Sequence, residues 1–316
     1  MHKSGLYLKV YTRRSQTPVA NSHPPICDYD GSNYQTSFWD HGGRIYEDRA
    51  EAIALQRLLP KGGELLLELG AGAGRNTPRY IGFRQVVLLD YSLTQLQQAL
   101  QRLGRNQRYI FVAADIYKLP FVDGLFDTAT MIRTLHHMAE PSAALKQVRS
   151  SLQPGAIFIL EYANKQNMKA ILRYLFRRQE WSPFTQESVE FEKLNFDFHP
   201  KTVRGWLKET GFIVQQQLAV SNFRLGVLKR ILPINLLTRL EAWLQPTGNW
   251  WQLSPSVFTS SQAVGNTPKA QAGTFFKCPV CESYNFKPNG LQLMCEKCSR
   301  EWPIRDGIFD FRIDAG

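Results

Sequence analysis

Short apolar runs alternate with amphipathic stretches between residues 64 and 162. The runs ELLLEL at 64–69, VVLLD at 86–90, YIFVA at 109–113, FDTATM at 126–131 and AIFILEY at 156–162 have the length and near-continuous apolar character of strands buried on both faces. Between them, 92–103 and 142–152 repeat apolar residues at helical spacing. Alternation at this pitch predicts an α/β fold with a parallel sheet covered by helices on both faces. No internal repeat interrupts it.

The pattern changes after residue 163. Met168, Ile171, Leu172, Leu175 and Phe176 fall on one helical face, and Lys165, Lys169, Arg173 and Arg177 form a second face without an acid. Residues 223–244 repeat the style, with Arg224, Lys229, Arg230 and Arg239 among Leu228, Leu232, Leu236, Leu240 and Trp243, and Pro233 is expected to split that stretch into two helices. Residues 163–274 carry 14 basic and 7 acidic side chains, most of the excess behind the chain's net charge of +11. The basic insertion at 163–244 therefore has three readings: a lid over the substrate side of the sheet, an RNA phosphate contact, or peripheral membrane contact. The lid is the expectation, and Trp243, Trp250 and Trp251 suit an apolar partner better than a phosphate surface.

A length of 316 residues suggests about two domains. With 43% hydrophobic and 21% charged residues the chain can bury a sizeable core, which excludes disordered, collagenous and coiled-coil classes. No apolar run is long enough for a transmembrane segment, and the first residues lack the apolar core of a secretory signal, so a cytoplasmic protein is expected. Residues 1–29 read as an N-terminal extension, poorly ordered as termini tend to be, and the small polar residues at 263–274 as a linker.

Four of the five cysteines form two pairs, Cys278-Pro-Val-Cys281 and Cys295-Glu-Lys-Cys298, with 13 residues between them. Each Cys-x-x-Cys turn presents two thiolates on one side, and two such turns build a tetrahedral cage for a structural Zn2+. Disulfides are disfavoured without a secretory signal, and a redox dithiol would need a βαβ setting that this tail is too short to supply. Cys27 reads as an inert small hydrophobe. Together with Phe276-Lys-Cys, Leu293-Met-Cys and Trp302-Pro-Ile-Arg-Asp-Gly-Ile308, the tail at 275–316 resembles the Trm112-type zinc ribbon. Related ribbons activate or accompany methyltransferases of varied substrates.

The first strand ends in Glu68-Leu-Gly70-Ala-Gly72-Ala-Gly74-Arg-Asn, followed by Thr77-Pro78 as an expected helix start. Position 75 is Arg where a dinucleotide fingerprint has its third glycine. The loop instead resembles motif I of class I S-adenosylmethionine (SAM) methyltransferases. Leu119-Pro-Phe, Phe126-Asp127, Leu135-His136-His137 and Leu152-Gln-Pro-Gly155 extend the resemblance, over roughly 64–162, to the small-molecule, ubiquinone-methyltransferase-like type. It implies a Rossmann-like methyltransferase domain at 30–262, its sheet completed by an antiparallel pair near 212–220 and 256–264. In that resemblance Glu68, Gly70, Gly72 and Gly74 belong to the cofactor loop, Asp90 accepts the ribose hydroxyls, Asp115 meets the adenine amino group, and Tyr91 and Ile116 flank the ring.

Methyl transfer from a sulfonium is an in-line displacement, and a base is needed only when the nucleophile carries a proton of high pKa. His136 and His137 follow the fourth strand and Glu161 ends the fifth, so these three are the catalytic candidates, His136 being the most familiar in the resemblance. The block Ser37 to Arg49, with Trp39 and Tyr46, either covers the cofactor or packs on the sheet. Met131-Ile-Arg-Thr-Leu stands where many base and glutamine N-methyltransferases carry Asn-Pro-Pro-Tyr. A small or medium-sized, lipophilic acceptor is the first functional expectation. An RNA methyltransferase is the second, and a non-catalytic SAM-binding adaptor the third.

Overall fold

The computed structural model describes residues 23–28, 30–31 and 43–313. Trp39, and residues 1–22 and 29 of the extension, lie outside the described residues. Helix α1 (Ile45–Leu58) leads into the alternating unit β1 (Gly63–Leu69), β2 (Phe83–Asp90), α2 (Leu93–Leu103), β3 (Tyr109–Ala113), β4 (Phe126–Met131), α3 (Pro141–Ser151) and β5 (Leu152–Ala163). The insertion contributes α4 (Met168–Leu175), a hairpin of β6 (Val189–Glu192) and β7 (Asn195–Asp197), and α5 (Pro200–Glu209). Strand β8 (Phe212–Val220), helices α6 (Gly226–Ile231) and α7 (Ile234–Leu244), and strand β9 (Ser256–Ala263) complete this part. Four short strands end the chain: β10 (Phe286–Asn289), β11 (Gln292–Cys295), β12 (Glu301–Arg305) and β13 (Ile308–Asp310).

The main sheet has 11 strands in the order β10-β11-β12-β13-β3-β2-β1-β4-β5-β9-β8. Strands β3, β2, β1, β4 and β5 run parallel, and β9 and β8 are antiparallel additions. Residues alternate between two cores because successive side chains leave a strand on opposite faces. Leu65, Leu67 and Leu69 pack with Ala144, Leu145 and Val148 of α3 and with Val203 and Leu207 of α5. Leu66 and Leu88 pack on the other face with Ala50, Ala54 and Leu55 of α1 and Leu96 and Ala99 of α2. That two-sided burial is why the β1 run is apolar without alternation.

Two segments depart from the sequence expectation. After the glycine loop, Thr77–Arg79 forms only a 3-10 turn, and Thr77 does not cap it because its hydroxyl donates to Glu68 Oε2 at 2.6 Å. The basic helix is short: α4 has 8 residues, and the chain turns at Arg177 with φ of 54°. Lys165 does not belong to its exposed charged face. Its ammonium is buried and donates to Thr185 O, Thr185 Oγ1 and Glu187 O at 3.0, 2.7 and 2.6 Å. Pro233 caps α7 and separates it from α6.

The cysteine-bearing tail is joined to the main sheet. Strand β13 pairs in parallel with β3, with Ile308 opposite Phe111 and Asp310 opposite Ala113. Phe276 stacks on Phe121 at 6.1 Å between centroids and meets Phe309 and Phe311 at 4.9 and 4.8 Å.

Candidate active site

The parallel strands all end at one edge of the sheet, and the connections leaving them surround a cavity there. Gly70, Gly72 and Gly74 have φ of 66°, 53° and 70°, a region that L side chains rarely enter. At Gly70 the requirement is also steric, since a Cβ would lie 2.1 Å from Thr134 Oγ1. At Gly72 only Gln95 Oε1, at 3.8 Å, comes near that position, so the backbone faces open cavity. A bare, left-handed backbone beside open space suits close approach by a ligand.

Asp90 closes the glycine loop from the next strand. Its Oδ2 accepts from Gly72 N at 2.8 Å and its Oδ1 from Ser92 N at 2.9 Å. Burial raises its pKa, and these backbone N–H groups work in the opposite direction. Tyr91, Asp115 and Ile116 line the same cavity. Asp115 caps the turn that follows β3, its Oδ1 accepting from Tyr117 N at 2.9 Å, and its buried Oδ2 lies 2.8 Å from His23 Nε2. Burial raises its pKa, and the Tyr117 amide and His23 oppose the shift. Glu68 lines the cavity but is anchored behind the loop, accepting from Thr77 and from Tyr80 OH at 3.0 Å. Burial pushes its carboxyl up to about 7.

The catalytic candidates separate. His137 lines the cavity, and its Nδ1 lies 2.9 Å from the Leu194 carbonyl. A carbonyl only accepts, so Nδ1 carries the proton. Burial lowers the His137 pKa and the Leu194 carbonyl opposes it, which keeps the ring neutral near pH 7. His136 packs against His137 at 4.0 Å between centroids and is not among the cavity-lining residues. Its Nδ1 has no hydrogen-bond partner among the described residues, and burial holds its pKa well down. Glu161 is also outside the lining. Its oxygens accept from Arg133 N at 2.8 Å and Ser256 Oγ at 2.6 Å, so it fixes the loop after β4.

Several contributors were missed in the sequence. His23, Ile26 and Cys27, read there as extension, lie against the cavity. Arg75 pairs with Asp48 and Glu51 of α1, and Arg133 Nε also reaches Glu51, so α1 is tied to two cavity loops by charge. Burial acts to raise the Glu51 pKa, but the two guanidinium groups outweigh it and hold it below the ordinary value. Asp197, at the end of β7, has its carboxyl pushed up to about 7 by burial, with Arg224 opposing. Polarity at Arg75 and Asp48 was visible in the sequence; their pairing across the fold was not.

The four cysteines also come together. Their Sγ atoms all lie within 4.8 Å of one another, with Cys278–Cys298 at 3.7 Å and Cys281–Cys295 at 3.4 Å. A tetrahedral site with Zn–S of ~2.3 Å has sulfur–sulfur edges of about 3.8 Å, so the donors fit Zn2+. Each pair is built alike: Glu282 N donates to Cys278 O and Ser299 N to Cys295 O, both at 2.8 Å, with Glu282 and Ser299 at φ of 59° and 58°.

Comparison with known proteins agrees with this geometry. Residues 67–160 match the family model described as methyltransferase domain. An O-methyltransferase (cnsE) of Penicillium expansum is 30% identical over 145 residues, covering 43% of this chain and 52% of that protein. A demethylmenaquinone methyltransferase of Clavibacter sepedonicus is 29% identical over 185 residues, covering 53% and 74%. The chain thus matches about half the length of the first of these relatives and about three quarters of the second. Among solved structures, a chain from the Haloferax volcanii complex of the Trm112 methyltransferase activator with a methyltransferase superposes with a TM-score of 0.52 at 17% identity, covering 73% of this chain and 96% of that one. That likeness concerns the fold. Residues 67–160 thus carry a methyltransferase domain, built on a Rossmann-like α/β sheet, and the four-cysteine cluster fits a zinc ribbon.

Proposed function

We propose that the chain transfers a methyl group from SAM to a small, lipophilic acceptor at the carboxyl edge of its sheet. The observation that carries this reading is the single cavity in which the bare backbone at Gly72, the Asp90 carboxylate and the Asp115 carboxylate line up from β1, β2 and β3. Asp90 would accept the ribose hydroxyls, Asp115 the adenine amino group, and Tyr91 and Ile116 would flank the ring. When bound, SAM supplies an electrophilic methyl group on sulfur.

The chain's own part is alignment and proton handling. Glu161 holds the Arg133 loop and the Leu194 carbonyl fixes the His137 ring, so the acceptor side is rigid before substrate arrives. His137 is neutral near pH 7 and lines the cavity, which suits it to take a proton from an acceptor hydroxyl. The likeness to the Clavibacter demethylmenaquinone methyltransferase supports an apolar small molecule as the acceptor class. The exposed Lys169, Arg173, Arg177 and Arg178 favour RNA as the second reading.

The test is substitution of His137 by Gln, with calorimetric SAM titration and turnover measured on whichever extract fraction accepts label. SAM affinity should hold within about twofold while kcat falls roughly 10²-fold or more. Equal turnover by the variant removes His137 from the proton path.

A further inference from the structure

Three segments leave large apolar side chains in water at one edge of the molecule. On α4, Leu172, Leu175 and Phe176 are exposed, Phe176 by 70%. On α6 and α7, Ile231 is 70% and Trp243 76% exposed. Trp250 and Trp251, just before β9, are 71% and 67% exposed. The segments adjoin: Met168 N, at the start of α4, donates to Leu253 O at 2.8 Å, and Trp250 N and Trp251 N donate to Thr247 O, one turn beyond α7. This is the reverse of the expected lid, in which the α4 apolar face would be buried against the sheet. Only Ala170 of that helix is buried.

Sheet register fixes where this surface lies. Ala163 at the end of β5 pairs with Ser256 at the start of β9, and Val220 at the end of β8 pairs with the same Ser256. Helix α4 leaves β5, α6 leaves β8 and the tryptophans enter β9, all at the edge where β1 to β4 deliver the cofactor loops. The apolar surface therefore lies along the same carboxyl edge of the sheet as the cleft, on the β5-β9-β8 side, and lines no part of the cavity itself.

Its charge selects the occupant. Residues 168–178 contain Lys169, Arg173, Arg177 and Arg178 and no acid, and Arg230 and Arg239 of 223–240 add to them, while Lys229 and Arg224 face Glu47 of α1 at 2.9 and 3.9 Å. A second copy of the chain would bring cations against cations. RNA phosphates would answer the cations but leave the tryptophans, leucines and Phe176 wet. An anionic lipid surface satisfies both, with apolar side chains in the acyl boundary and basic ones at the headgroups. Indole rings are suited to that boundary. We propose that α4, α6, α7 and the Trp250–Trp251 turn dock the protein peripherally on an anionic bilayer, bringing the carboxyl edge of the sheet close to the lipid. This deepens the lipophilic-acceptor reading and rests on it for its purpose, but not for its test.

The test is flotation of the full chain with vesicles of phosphatidylcholine alone or mixed with phosphatidylglycerol, without SAM or acceptor, at about 0.15 M salt. The protein should float with the mixed vesicles, brominated lipid should quench its tryptophan fluorescence, and Asp90→Ala should float equally well. Leu175→Asp with Phe176→Asp should reduce binding roughly tenfold or more. Calorimetric SAM titration checks that this variant is folded. A milder variant, Trp250→Ser with Trp251→Ser, should lose most of the quenching, with Trp243 on α7 carrying the remainder, and unchanged quenching would contradict the proposed face. Failure of the wild type to float overturns the proposal and leaves the methyltransferase reading standing. So does self-association buried on this face. So does salt-sensitive binding of a single-stranded RNA oligonucleotide, lost in Arg173→Gln with Arg177→Gln and Arg178→Gln, by a protein that ignores vesicles.

Discussion

Asp90 and Glu68 carry similar carboxylates a few ångströms from one loop, yet the fold gives them different work. Asp90 holds Gly72 and Ser92 by their amides and stays at the cavity wall. Replacing it with Ala should weaken SAM more than about tenfold, because charge-assisted hydrogen bonds contribute ~1.5–3 kcal/mol each. The isosteric Asp90→Asn keeps the packing and separates lost binding from a loosened loop, both read by calorimetry. Unchanged affinity in a folded Asn variant would remove the ribose assignment. Glu68 faces inward, and burial pushes its carboxyl up from 4.5 to about 7 in the fold. Between those values the folded state holds a proton that the unfolded chain has lost, so stability falls as pH rises through that window. Glu68→Gln cannot make that exchange and should flatten part of the decline between about pH 5 and pH 7 in chemical denaturation. A slope equal to the wild type would mean that Glu68 ionises normally. The glycine spacing and the strand-end acids were legible in the sequence because strand ends and left-handed glycines are local. The partners of those acids were not: His23 reaches Asp115 across 92 positions of sequence, a distance that no periodicity encodes.

Elements were legible where one face decided them and obscure where burial came from elsewhere. Strands β3 and β4 fall where their apolar runs predict, β8 falls where the family resemblance implies, and Pro233 divides α6 from α7. The same rule misplaces α4, since an amphipathic pattern states that a face is apolar but not what covers it. Strand β13 was hidden for another reason. It is 3 residues long, and its partner β3 is remote in sequence. Beyond it Arg312 makes a two-pronged contact with Asp310 at 3.0 Å and reaches Asp30 at 3.0 Å. Asp30 in turn accepts from Ser92 Oγ and Thr94 N at 2.8 and 3.0 Å, at the start of α2. The cysteine cluster is thus connected through β13, Arg312 and Asp30 to Ser92, beside Asp90 at the cavity wall. Arg312→Ala should weaken SAM about three- to tenfold, the loss of one partly exposed charge-assisted link. Purified protein should hold about one zinc per chain. Chelation should open 275–313 to protease and lower SAM affinity in the same direction as Arg312→Ala. A metal-free chain with a protease-resistant tail and full affinity would contradict this connection.

At the scale of the whole molecule, the sheet edge that gathers the cofactor loops also gathers the basic, apolar insertion. Net charge of +11 by itself points toward polyanions in general, and the placement of the exposed α4, α6 and tryptophan side chains is what favours lipid over nucleic acid in the proposal. No helix among the described residues is long and apolar enough to cross a membrane, so contact with lipid through this edge would be interfacial. The central claim is that this edge is a SAM-dependent catalytic cleft for an apolar small molecule. The most direct measurement is incubation of the full chain with methyl-labelled SAM and fractionated extracts of RNA, protein, water-soluble metabolites and organic-soluble lipids. Label should accumulate in the organic-soluble fraction and disappear with Asp90→Ala. Label confined to RNA or protein, or transfer that survives Asp90→Ala, would contradict the account.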